Sequence, residues 1–245
     1  MSAPPAEAAV RRLRSTAAAA AFFAVAVAAT SQIGAVELKD LTAMLRARDA
    51  EITRLKADYR QRITFTDLDE TYSIVASFVY VKPDWLRLDI TAPMRQTIVV
   101  SSGVLWVDDR GSNTRYRADL VSFTRRNASI FPLILSGSQR YDVADLIRKL
   151  GMKVVTEEPE FYVVSTRYAR GRTYTDRRVG LRPGEVRFIM WIRKSTLFPE
   201  RVHMISEKYI VETTLSNYVT EFDPDPSLFV VDVSTDAAVQ ELEVP

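Results

Sequence analysis

The residues able to do chemistry are few, and their spacing does not organise them for it. His203 is the only histidine, and it lies in a run, 200–206, that reads as a strand. Carboxylates cluster at Asp67/Asp69/Glu70, Asp108/Asp109, Glu157/Glu158/Glu160 and Asp223/Asp225. Paired acids can run glycoside hydrolysis or hold calcium. These clusters fall in predicted turns, where adjacent acids are ordinarily solvated, and none has the spacing of a calcium loop. The chain has no cysteine. That excludes disulfides, thiolate metal sites, a cysteine nucleophile and a lipid-modified N-terminal cysteine. There is no Gly-x-Ser-x-Gly elbow, no His-Glu-x-x-His pair and no glycine-rich phosphate loop. The expectation is a binding protein with no catalytic residues, no metal and no cofactor.

The bulk numbers are those of a protein with a substantial core. Apolar residues make up 47% of 245, and 8 glycines with 11 prolines exclude a linker or a fibrous chain. The net charge of +2 comes entirely from the N-terminus, where Arg11, Arg12 and Arg14 stand against Glu7. The balanced remainder gives no general electrostatic reason to bind nucleic acid. After Arg14 no charge appears until Glu37, and the run from Ala17 to Ala29 is apolar. Ala26-Val27-Ala28 and Ile33-Gly34-Ala35 both suit cleavage after a small residue. Residues 1–35 therefore read as an export signal, or as an uncleaved anchor. Residues 36–245 show no composition break and read as one domain, outside the cytoplasm.

Two periodicities build that domain. Over 36–57, Leu38, Leu41, Leu45, Ile52 and Leu55 recur at helical steps, continued by Tyr59, which predicts one helix packed by a stripe. From Tyr59 the period is two, with strands expected at 59–66, 72–82, 85–91, 95–101, 104–108 and 113–120. Joints this short make an antiparallel meander. One face of it collects Tyr72, Ile74, Phe78 and Tyr80, then Leu86, Leu88 and Ile90, then Ile98, Val100 and Leu105. A broad apolar face must be covered, either by an ordinary core or by a ligand. Strands resume at 152–156, 160–168, 186–193, 200–206 and 208–218, with a last one near 228–233.

Two segments interrupt the strands. Phe131-Pro132-Leu133-Ile134-Leu135 is an apolar cluster that could cap the sheet. Val143–Leu150 reads as a short helix stopped by Gly151. Residues 167–184 are rich in arginine and read as a solvated hairpin tip, or as a docking surface for acidic headgroups or a partner.

The segment Phe78–Trp106 resembles the LolA family of lipoprotein-sorting proteins. Val79-Tyr80-Val81-Lys82-Pro83-Asp84-Trp85-Leu86-Arg87-Leu88 is similar to that family's strand, basic-Pro turn and next strand. Ala92-Pro93, Ile98–Trp106, Phe131–Leu135 and Asp225-Pro226-Ser227-Leu228-Phe229 follow in the family's order. The resemblance implies an α+β fold: an open antiparallel half-barrel covered by an N-terminal helix and a helical lid. It implies a periplasmic carrier that takes acyl chains of lipoproteins or related lipids from an inner-membrane ABC-type complex to an outer-membrane acceptor.

On this reading the ten face residues line the cavity, and Phe131, Leu133, Ile134 and Leu135 form the lid. Lys82 takes the place of an arginine that latches the lid through backbone carbonyls. Lysine has no planar fork. Ser102 stands where the family often has an acid. A lipid-sensing or partner-binding regulatory module on the same scaffold is the alternative reading. A fixed structural subunit of an envelope assembly comes third and an enzyme fourth.

Overall fold

In the computed structural model the described residues are 36–122, 143–166, 185–231 and 238–241. Helix α1 spans Leu38–Glu51. Strands β1 (Arg54–Phe65), β2 (Glu70–Val81), β3 (Trp85–Ala92), β4 (Gln96–Ser101), β5 (Val104–Asp109) and β6 (Thr114–Asp119) follow as a meander. Helix α2 (Val143–Lys149) precedes β7 (Val154–Glu157), β8 (Phe161–Ser165), β9 (Arg187–Arg193), β10 (Pro199–Ile205) and β11 (Tyr209–Val219). A 3-10 turn, Pro226–Phe229, and β12 (Ala238–Glu241) come last.

Among the described residues all twelve strands join one sheet in the order β12-β6-β5-β4-β3-β2-β1-β11-β10-β9-β8-β7. Every pairing is antiparallel except β12 with β6. The ends do not meet, so the sheet is the expected open half-barrel with edges at β7 and β12. Tight turns make the meander possible. Ser102 (φ 51°) and Gly103 (φ 78°) both take the left-handed conformation, which suits a two-residue hairpin. Gly151 (φ 63°) closes α2 in the same region.

The inner face carries two apolar clusters side by side. Leu41 and Leu45 of α1 and Val143, Leu146 and Ile147 of α2 pack with Val164, Met190, Ile192 and Val202 of β8–β10. The second cluster is centred on β1–β6, with Leu55, Phe78, Leu88, Val100 and Leu105, and takes in Phe198 and, from β11, Leu215.

The N-terminal helix is shorter than its stripe suggests. It stops at Glu51, and Leu55 and Tyr59 belong to β1. Two positions four apart share a face in both a helix and a strand, so those two residues fit either period. The alternation of Arg54, Lys56, Asp58 and Arg60 with Leu55, Ala57 and Tyr59 decides for the strand. Of the terminal strand expected near 228–233, Leu228 and Phe229 instead end the 3-10 turn, whose start Asp225 caps by accepting from the Ser227 amide at 2.9 Å, and 232–233 lie outside the described residues. Asp108 and Asp109 lie on β5 rather than in a turn. Asp108 accepts from Arg115 Nε at 3.3 Å.

Candidate functional site: an apolar face with one closed end

Cross-strand register arranges the inner face of the meander in rows. Leu55, Tyr80, Leu86, Val100, Leu105 and Ala118 form one row; Ala57, Phe78, Leu88, Ile98, Val107 and Tyr116 form the next. Tyr59, Ala76 and Ile90 follow, then Gln61 beside Ile74, then Ile63 beside Tyr72. Burial falls along this series. Val100 is 0% exposed and Leu105 1%; Phe78, Leu88 and Ile98 remain buried; Ile74, Ile90 and Val107 are half-buried; and Tyr72 reaches 49%. The face is a trough with a closed end at Val100/Leu105 and an accessible end at Tyr72.

All ten sequence-predicted positions lie on this one face. Nine belong to a single cluster, with Ile74 and Ile90 at its margin. Tyr72 stands beyond it, its hydroxyl donating to Glu70 at 2.8 Å and its ring edge-on to Phe65 at 5.8 Å. Seven of the ten are buried in this structure, so a ligand reaches them only when the face is uncovered. Phe131, Leu133, Ile134 and Leu135 lie outside the described residues, as do residues 1–35 and the arginine-rich segment 167–184.

Lys82 does bond a backbone carbonyl, but on α1. Its ammonium donates to the Asp49 carbonyl oxygen, in the last turn of the helix, where the dipole favours a cation. The Asp49 carboxylate is itself buried and accepts from the Val143 amide at 3.0 Å, at the first residue of α2. Lys82 and Asp49 together tie the β2–β3 turn to both helices. Lys82→Met removes a charged donor and is expected to cost about 1.5–3 kcal/mol. Urea unfolding checks this, with Lys82→Arg expected to restore most of the loss.

Sequence reasoning missed what holds the outer face. The segment after β11 crosses it, and buried Phe229 packs on Trp85 at 5.3 Å between ring centres. Arg87 donates to the Leu228 carbonyl at 2.8 Å while gripping Asp89 with two further nitrogens. The two motifs quoted above, one around Trp85 and Arg87 and one ending at Phe229, thus touch in space. A signal was present, since Trp85 is a large apolar residue on the otherwise polar face of β3.

The one histidine does not sit in a catalytic constellation among the described residues. His203 is half-buried on β10 beside Trp191, 4.7 Å between rings, with Glu212 at 3.9 Å. Among the described residues no group of three His, Cys, Asp or Glu is placed to hold a metal ion. No described helix is long and apolar enough to cross a membrane.

Fold and face define the class: an open antiparallel sheet with helices on its inner side and an apolar trough beside them. No family model matches the chain, and no curated protein sequence does. Solved structures similar to it include an uncharacterised conserved protein from Thermus thermophilus, with 12% identity over 81% of this chain and 98% of that one and a TM-score of 0.48. They also include a LolA superfamily protein from Nitrosomonas europaea, at 13% identity, 81% and 99% coverage and a TM-score of 0.44. A third is the lipoprotein LppX from Mycobacterium tuberculosis, at 11% identity, 76% and 98% coverage and a TM-score of 0.40.

Proposed function

We propose that this protein is an exported, non-enzymatic carrier that shelters the acyl chains of lipoproteins or related lipids against the inner face of β1–β6. It collects them from an inner-membrane complex and delivers them to an outer-membrane acceptor. The observation that carries the reading is the graded trough. Apolar side chains fill one face of six strands, sealed at Val100 and Leu105 and accessible at Ile74, Ile90 and Tyr72. An acyl chain enters such a trough tail first. Each CH₂ leaving water gains roughly 0.8 kcal/mol, so a long chain supplies the free energy to open the closed face. The motif order that resembles LolA supports the cargo class. Residues 1–35, with three arginines before an apolar run, supply the export address.

The test is gentle purification of the full chain, followed by organic extraction and mass spectrometry. Stoichiometric acylated material is the expected result. An interior empty of lipid, no uptake of a fluorescent acyl probe and a tightly held protein partner would replace the carrier with a regulatory module.

A further inference from the structure

From Leu55 to Ile74 the inner face of β1–β3 is apolar or aromatic apart from Gln61, whereas Gln96, Asp109 and Thr114 extend the row of Ile90 on β4–β6. Where β1 meets β11, Gln61 stands opposite Thr213, and Tyr59 is one step further in, opposite Leu215. All three are buried: Thr213 2% exposed, Tyr59 4% and Gln61 7%. Gln61 Nε2 donates to Thr213 Oγ1 at 3.1 Å, with the Tyr59 phenol on the neighbouring inward row. Burial pushes the Tyr59 phenol well above its ordinary range, against a smaller lowering effect of the Thr213 hydroxyl, so the phenol stays neutral. Among the described residues nothing donates to Gln61 Oε1, and only one of its two amide hydrogens is engaged. Yet that oxygen is not among the sealed, unpartnered atoms of the described residues, which are Arg115 Nη1 and Arg187 Nε. The carbonyl oxygen is therefore not fully sealed.

The position is as informative as the chemistry. Gln61 pairs with Ile74, in the row where the trough turns from buried to accessible. It also lies on the seam between the two apolar clusters, since Thr213 pairs with Val202 of the helix-covered cluster. From Gln61 to Leu55 at the closed end is about 20 Å along the strand. A chain lying tail-inward along β1 brings its polar linkage to Gln61. No lysine or arginine shares the inner face of β1, β2, β3, β10 or β11. The group recognised is therefore neutral. An amide that can both donate and accept, next to a phenol and a hydroxyl, suits the carbonyl of an ester or amide.

We propose that Gln61, with Thr213 and Tyr59 positioning it, is the subsite that hydrogen-bonds the ester or amide carbonyl joining the acyl chain to its headgroup. This rests on the carrier reading and deepens it: the trough selects acyl esters and amides over plain hydrocarbon of equal length. A buried polar group left unpaired is costly, so hydrocarbon sliding over Gln61 gains nothing from it while an ester satisfies it.

Dissociation constants of the full chain for 1-monopalmitoylglycerol and for hexadecane, each delivered from cyclodextrin, test this. Gln61→Met keeps the length of the side chain and removes the amide. It is expected to weaken monopalmitoylglycerol about tenfold, the worth of one hydrogen bond in a desolvated site, and to leave hexadecane within about twofold. Thr213→Val, nearly isosteric, is expected to move the ester in the same direction by freeing Gln61 from its anchor, and it serves if Gln61→Met does not fold. Wild-type binding of both ligands with neither variant discriminating between them overturns the subsite and leaves the carrier standing. Wild-type protein that binds neither ligand overturns both.

Discussion

Ala76→Trp is expected to weaken binding of a palmitoyl probe by at least about 100-fold while the protein stays folded. Ala76 sits mid-trough, between Tyr59 on β1 and Ile90 on β3. It is 5% exposed and one of three alanines, with Ala57 and Ala118, in an inner face otherwise made of large side chains. On the carrier reading the cargo lies over these small residues. An indole there displaces several methylenes of a bound chain. Losing four at roughly 0.8 kcal/mol each gives about 3 kcal/mol, or about two orders of magnitude in affinity. Overpacking a closed core costs typically 1–3 kcal/mol, which a domain of this size survives. Fluorescence titration and a thermal melt on the same sample check it. Unchanged affinity in a folded Ala76→Trp protein places the cargo elsewhere and removes the inner face from the mechanism.

The meander was legible because its physics is local. Period-two alternation through Phe78, Tyr80, Leu86, Leu88, Ile98 and Val100, with turns at Lys82–Asp84 and Ser102–Gly103, sets both strand bounds and facing. The register then follows from turn length. The N-terminal helix was legible in type but not in length, because Leu55 and Tyr59 satisfy two periods at once. The 3-10 turn at Pro226–Phe229 and the parallel strand β12 were not legible. Both are fixed by partners far away in sequence, Trp85 and Arg87 for the one and β6 for the other.

The polar spot was hidden for a different reason. Gln61 alternates with Arg60 and Arg62, so it looks like one more solvated residue of a charged strand. Only the pairing with Thr213 turns it inward. Likewise Asp49 reads as part of the helix's charged surface, until α2 arrives 94 residues later to be capped by it.

Leu88→Asp is expected to abolish the fold itself, and that outcome separates the two jobs of the inner face. Leu88 is 3% exposed and lies between Phe78 and Ile98 in the middle row. Removing its side chain from a core costs about 2–5 kcal/mol. A carboxyl group there must be buried without a partner or take up a proton, which adds several more. The sum reaches the whole stability of a typical domain, about 5–15 kcal/mol. Ser73→Asp, on the exposed face of neighbouring β2 and opposite Arg62, is expected to change stability by no more than about 0.5 kcal/mol.

Circular dichroism and urea unfolding of the two variants read the difference directly. A cooperative, wild-type transition in Leu88→Asp would mean that this row is not core. Loss of the fold in that variant, beside loss of binding alone in Ala76→Trp, fits a face whose closed end and middle rows hold the sheet together. On the proposed carrier reading an acyl chain uncovers this face from the accessible rows at Ile90, Ile74 and Tyr72 inward, while the strand pairing of β1–β6 is unchanged.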